Sequence, residues 1–193
     1  MALSVRGLLK AFAAIPIVMI AGAVFIWYRI GLASYLTATR SIAMVPGVAG
    51  IYIRRFFYRW TLAACGEEFV VDWMGVLKTP TISVGRRCFV GSFCFIAECV
   101  LHDEARIAHH SVVQGGPHTH GFERIDIPMA DQPGAIRAVS IGPNVWIGAG
   151  ARILNDVAPG TMVGAGAVVT RVFEENAILV GVPARRLRLR GSR

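Results

Sequence analysis

An aliphatic residue returns every six positions through much of this chain, and few folds accommodate that spacing. The series runs Val84, Val90, Ile96, then, after a unit one residue short, Leu101, Ile107 and Val113. It resumes at Ile141, Ile147 and Ile153, and after a ten-residue step at Val163 and Val169. The fifth position of each unit is small: Cys88, Cys94, Val100, Ala105, Ser111, Val145, Ala151, Val157 and Ala167. A helix repeats at 3.6 residues and a half-buried strand at 2, so neither accounts for a period of six. A parallel β-helix does, with three short strands per coil. The aliphatic residue then fills the interior and the small one points inward where two walls meet. Glycine at the second position (Gly85, Gly91, Gly142, Gly148, Gly164) relieves the turn that follows each strand. The ten-residue step around Ala158-Pro159-Gly160 predicts a pinched coil.

The remainder of the chain has a different character. Residues 1–60 hold seven basic residues and no acid, and 185–193 hold five more with none. The body, 61–184, carries eight basic and twelve acidic residues, so the net charge of +8 resides at the two ends. The run AFAAIPIVMIAGAVFIWY, 11–28, has no charge and ends on Trp27 and Tyr28. As a helix it measures roughly 27 Å, which matches a bilayer's hydrocarbon core. Residues 1–40 therefore read as a membrane anchor containing Pro16. Basic residues are more numerous after the span, which places the body on the cytoplasmic side of an inner membrane. In 41–65, Arg54, Arg55 and Arg59 interleave with Phe56, Phe57, Tyr58 and Trp60. Beside an anchor, that pattern reads as an interfacial segment on anionic lipid rather than a nucleic-acid surface. Residues 66–193 form the third unit.

The four cysteines, 65, 88, 94 and 99, lack the spacing of a zinc knot or a redox pair. Cys88 and Cys94 read as corner residues.

The hexads, IGPNVWIGAGARI at 141–153, VGAGAVVTR at 163–171 and VGVPARRLRLR at 180–190 together resemble the hexapeptide-repeat acyltransferases. The sugar and polysaccharide O-acetyltransferase branch is the nearer likeness. The resemblance spans roughly residues 46–190. It implies a left-handed parallel β-helix, a homotrimer with clefts between subunits, and acetyl-CoA as donor. The membrane anchor is no part of it.

The stretch 114–140 is too long and polar for a coil and must extrude; rigid scaffolds commonly carry function on such loops. It holds His118 and His120. The family places a base there, and Gly116-Pro117-His118 matches best, with His120 as the other candidate. An imidazole titrating near neutrality can take the proton of a sugar hydroxyl as it attacks the thioester, then protonate the departing thiolate. By analogy Trp146, Gly148 and Ala149 lie at the thioester, where backbone N–H groups meet the oxyanion. The resemblance also runs the donor's pantetheine past Gly164, Ala165, Gly166, Thr170 and Arg171, with Arg185 and Arg186 for its phosphates.

A zinc-dependent carbonic anhydrase class shares the fold, but it uses three histidines, two of them five residues apart. No pair among His102, His109, His110, His118 and His120 has that spacing, so no metal is expected. Three functions follow. The first is a membrane-bound O-acetyltransferase acting on a saccharide or lipid-linked glycan. The second is an N-acetyltransferase of an amino-sugar nucleotide. The third is a non-catalytic scaffold of a glycan assembly complex.

Overall fold

In a computed structural model the described residues are 5–116 and 121–192, with side chains from Ile15 onward. Three helices lead into a parallel β-helix. They are α1 (Val5–Arg29), α2 (Tyr35–Ala43) and α3 (Gly47–Thr61).

The β-helix has three walls. The first stacks Ala64–Cys65, Ser83–Val84, Cys99–Leu101 and Val139–Ile141. The second stacks Val70–Val71, Phe89–Val90, Arg106–Ile107, Trp146–Ile147, Met162–Val163 and Ala177–Val180. Arg185–Leu189 folds back antiparallel on the last of these. The third stacks Val76–Leu77, Phe95–Ile96, Val112–Val113, Arg152–Ile153 and Val168–Val169. The six-residue period is the length of one wall plus one turn. All eleven aliphatic residues of the series are buried, as are the small corner residues apart from Val100. In the short unit Cys99 points inward instead and Val100 outward, because losing one residue shifts the strand's alternation by one. In the pinched coil the first wall shrinks to a single bridge between Val157 and Ile141.

The coil begins earlier than the repeat can be read, at Ala64. Phe69 and Gly75 occupy corners where small, regular residues mark the later coils. A large corner residue is tolerated here because the coil is terminal and α3 covers it: Phe69 is fully buried, with its ring 6.2 Å from that of Tyr58.

The segment 41–65 packs one face against the β-helix, so it is more than a surface strip. It supplies the end of α2 and all of α3, which lies over the open end of the β-helix and buries Ile53, Phe57 and Tyr58. Arg54 is wholly buried as well. Each coil donates its N–H groups to the carbonyls of the following coil, so the first coil is left with unpaired carbonyls. A guanidinium, which only donates, is the complementary cap. Arg54 Nε donates to Val71 O at 2.9 Å, and Nη1 to Ile42 O at 3.0 Å and Val45 O at 2.8 Å. One side chain thus ties the end of α2 to the β-helix.

The expected apolar helix forms, but the membrane span is not supported: among the described residues no helix is long and apolar enough to cross a membrane. One side of α1 is occupied by protein. Ala21 is buried, Phe25 packs edge-on against Trp60 and Tyr28 against Tyr35. Ile15, Met19, Ile20 and Ile26 remain exposed on the other side.

Candidate active site

The corner between the second and third walls carries Gly148, Ala149, Gly164, Ala165 and Gly166 of the expected site residues. Gly148-Ala149-Gly150 and Gly164-Ala165-Gly166 turn that corner in successive coils, about 5 Å apart. Gly150 and Gly166 have φ of +71° and +69°, where a side chain is strained. A Cβ on Gly166 would meet nothing within 4 Å, so the backbone here is open to close approach. Gly148 N–H is committed to Val163 O at 2.7 Å and Gly164 N–H to Leu179 O at 2.7 Å. Gly166 N–H is committed to Ala149 O at 2.8 Å. Ala149 and Ala165 donate to no partner among the described residues. Of the residues expected at the oxyanion, Ala149 therefore has the available N–H and Gly148 does not. The Gly-Ala-Gly spelling marks this corner in sequence; which of its N–H groups is unspent depends on the stacking.

Trp146 stands just before this corner, on the outer face of the second wall, and is 55% exposed. Thr170 and Arg171 lie beyond the third wall, at the next corner. Arg171 stacks over Phe173 at 4.9 Å, and Asn155 Nδ2 donates to Thr170 O. Arg185 and Arg186 open the antiparallel strand. Arg186 pairs with Glu174 at 2.5 Å, and backbone donation together with that pair holds the Glu174 carboxyl below its usual range.

His118 and His120 lie outside the described residues. The stem of their loop leaves the corner between the third and first walls. Gly116 has a φ of +90°, and Arg137 N–H donates to Gly115 O at 3.0 Å. Arg137 also reaches Asp156 at 2.9 Å and Asn155 at 2.5 Å, which pins the returning strand. Farther out, Gln132 accepts from Arg124 N–H and donates to Arg124 O and Ile127 O. Arg124 pairs with Asp126, so that carboxylate is already engaged. The loop stem and the Ala149–Ala165 corner are on opposite edges of the third wall, so the structure does not bring them together within one chain.

The other histidines have structural work. His102 Nε2 is 3.1 Å from Ser140 Oγ, His109 Nδ1 accepts from Ser92 N–H, and His110 stacks on Phe93. Among the described residues no group of three or more His, Cys, Asp or Glu is arranged to hold a metal ion. Cys88 and Cys94 are buried corner residues whose thiols donate to His102 O and Ala108 O at 3.1 Å. Burial pushes both thiols up to about 11, and Cys99 higher still, so none is a ready nucleophile.

No family model matches the sequence. A serine acetyltransferase of Mycobacterium tuberculosis is 29% identical over 157 residues, covering 76% of this chain and 63% of that protein. WbbJ of Escherichia coli, named for lipopolysaccharide biosynthesis O-acetyl transfer, is 27% identical over 125 residues, covering 60% and 54%. The chain thus spans between half and two thirds of these relatives' length. Among solved structures, a hexapeptide-repeat acetyltransferase from Vibrio cholerae superposes with TM-score 0.67 at 19% identity, covering 81% of this chain and 93% of that one. A maltose O-acetyltransferase from Clostridium difficile gives 0.61 at 20% identity, covering 82% and 89%. AntD, an N-acyltransferase from Bacillus cereus bound to dTDP and 3-hydroxybutyryl-CoA, gives 0.57 at 18%, covering 68% and 85%. These structural likenesses are of fold.

Proposed function

We propose that this chain, whose sequence and coils resemble those of the hexapeptide-repeat acyltransferases, transfers an acetyl group from acetyl-CoA to a saccharide hydroxyl. The observation that carries the reading is the corner at 148–150 and 164–166. Two stacked N–H groups, at Ala149 and Ala165, are unspent beside glycines that leave room for a ligand against the backbone. A thioester carbonyl that becomes an oxyanion needs such donors, held rigid and close. The corner fits the donor: a narrow pantetheine arm requires backbone hydrogen bonds and no side chains in its way. Arg171, Arg185 and Arg186 supply cations for its phosphates.

His118 is the base in this reading. It takes the hydroxyl proton as the oxygen attacks the thioester carbonyl, and the C–S bond breaks with that proton passing to the thiolate. No acyl-enzyme forms on Cys88, Cys94 or Cys99, because these thiols are buried and protonated. The third wall separates the loop stem from the donor corner of the same chain, so the base arrives from a neighbouring copy and the working unit is a homotrimer. O-acetylation is favoured over N-acylation by the likeness to WbbJ, whose name states O-acetyl transfer. The exposed side of α1 and Arg29, Arg55 and Arg59 provide an apolar and basic face for the cytoplasmic surface of an inner membrane, beside a lipid-linked glycan acceptor.

The test is transfer from acetyl-CoA to a panel of saccharides, with the product read by mass and by lability to mild alkali. An ester is cleaved and an amide persists. His118→Ala lowers turnover by about 10²–10⁴-fold and leaves CoA affinity unchanged. Loss with His120→Ala instead exchanges the two roles. If both variants keep full rate, the catalytic reading fails.

A further inference from the structure

The outer face of the second wall bears a groove of about 660 Å³. Its floor is a row of residues abreast in register: Arg106, Trp146 and Met162. Arg87 and Glu104 stand on one side, and Arg188 of the last strand and Arg190 just beyond it close the other. Four guanidiniums therefore face one carboxylate. Three of the four are engaged. Arg87 lies 3.4 Å from Glu104, Arg190 donates to Gly160 O, and Arg188 donates to Leu189 O and Ser192 O. The Arg106 side chain has no hydrogen bond or ion pair among the described residues. Its cross-strand neighbours are Phe89 and Trp146, neither of which balances its charge.

Folding does not require this cation. A strand residue on an outer wall, between two aromatic neighbours, is filled equally well by an apolar side chain. An unpaired guanidinium on the floor of a concave, net-positive site instead matches a phosphate or carboxylate, which it can grip with two parallel N–H bonds. Trp146 stands abreast of Arg106 on the neighbouring strand, and its own strand leads on to Gly148 and Ala149. An anion held at Arg106 therefore lies one strand from the indole of Trp146, on the wall that leads into the 148–150 corner.

We infer that this groove is an anion subsite for the acceptor, which carries a phosphate or a carboxylate read by Arg106. The word acceptor rests on the acetyl-transfer reading; anion binding itself does not. The test is calorimetric titration of the full chain with inorganic pyrophosphate, alone and after saturation with CoA. Pyrophosphate is expected to bind the CoA-saturated protein. Arg106→Gln weakens that binding at least tenfold while CoA affinity changes less than twofold. Glu104→Gln, which removes the groove's carboxylate, tightens it several-fold.

Displacement of pyrophosphate by CoA, with Arg106→Gln weakening CoA equally, assigns the groove to the donor's phosphates and overturns the proposal. Unchanged pyrophosphate binding in Arg106→Gln also overturns it. If the wild-type chain binds no CoA, the donor reading fails, and the groove is then judged by the titration without CoA.

Discussion

At the residue scale, a single guanidinium and a pair of thiols illustrate how burial changes what a side chain is for. Arg54 looks like a lipid contact in a basic, aromatic run, yet it closes the end of the β-helix. Arg54→Met keeps the volume and removes every donor, leaving Val71 O, Ile42 O and Val45 O without that partner. Ile42 O keeps the N–H groups of Met44 and Val45, whereas a buried carbonyl left unpaired, as at Val71, costs about 1–3 kcal/mol. Chemical denaturation should show a loss of at least that size, and Arg54→Lys should recover only part of it because an ammonium cannot reach both helix and coil. Cys88 and Cys94 occupy the corner position that Ser111 fills in another unit, where its hydroxyl donates to Gly148 O at 3.0 Å. The double variant Cys88→Ser, Cys94→Ser is therefore expected to fold. The thiols' folded pKa, about 11, lies above the unfolded value of about 8.5. Their stabilising contribution is complete below pH 8.5 and disappears as pH rises to 11. Melts across that interval should show a steep alkaline decline in the wild type and a shallower one in the double variant.

The element scale separates what binds from what supports. At the donor corner, Gly166 has open space beyond it and a positive φ. Gly166→Val costs stability modestly through backbone strain, about 1 kcal/mol or somewhat more, but fills the approach to the Ala149 and Ala165 N–H groups. CoA affinity should fall at least tenfold, measured by titration, with the melting temperature shifted only a few degrees. The loop makes the opposite case. Gln132 knots it through three hydrogen bonds and touches neither the donor corner nor the groove. Gln132→Ala should lower turnover with CoA affinity retained, because the proposed function gives the loop the base and no donor contact. An unchanged turnover would show that the knot does not position the loop.

For the whole molecule, the proposed function makes catalysis a property of the assembly, because the loop stem and the 148–150 corner lie on opposite edges of the third wall. Sedimentation of the detergent-solubilised protein is expected to give a trimer. Mixing His118→Ala subunits with Gly166→Val subunits should restore part of the activity, since some clefts then join an intact loop to an intact corner. A fully active monomer contradicts this. Flotation with vesicles tests the membrane face. Binding should persist in high salt if the exposed side of α1 inserts, and vanish if only the arginines hold it. Much of this architecture was legible in the chain itself. A period of six, with aliphatic and small residues at set places, permits one economical solution, because strand length and interior diameter are both local quantities. The Gly-Ala-Gly spellings marked the turn between the second and third walls for the same reason. Other features were decided only by tertiary stacking. The first coil is hidden because its corner packs against α3 rather than against another coil. Arg54 becomes a cap only when carbonyls from two elements converge on it, and Arg106 joins the groove only when the last strand folds back over the second wall. Pairing between coils spends most of the backbone N–H groups and spares those of Ala149 and Ala165. Hydrogen-bond commitment and charge surroundings are relations between residues far apart in sequence, and no local pattern encodes them.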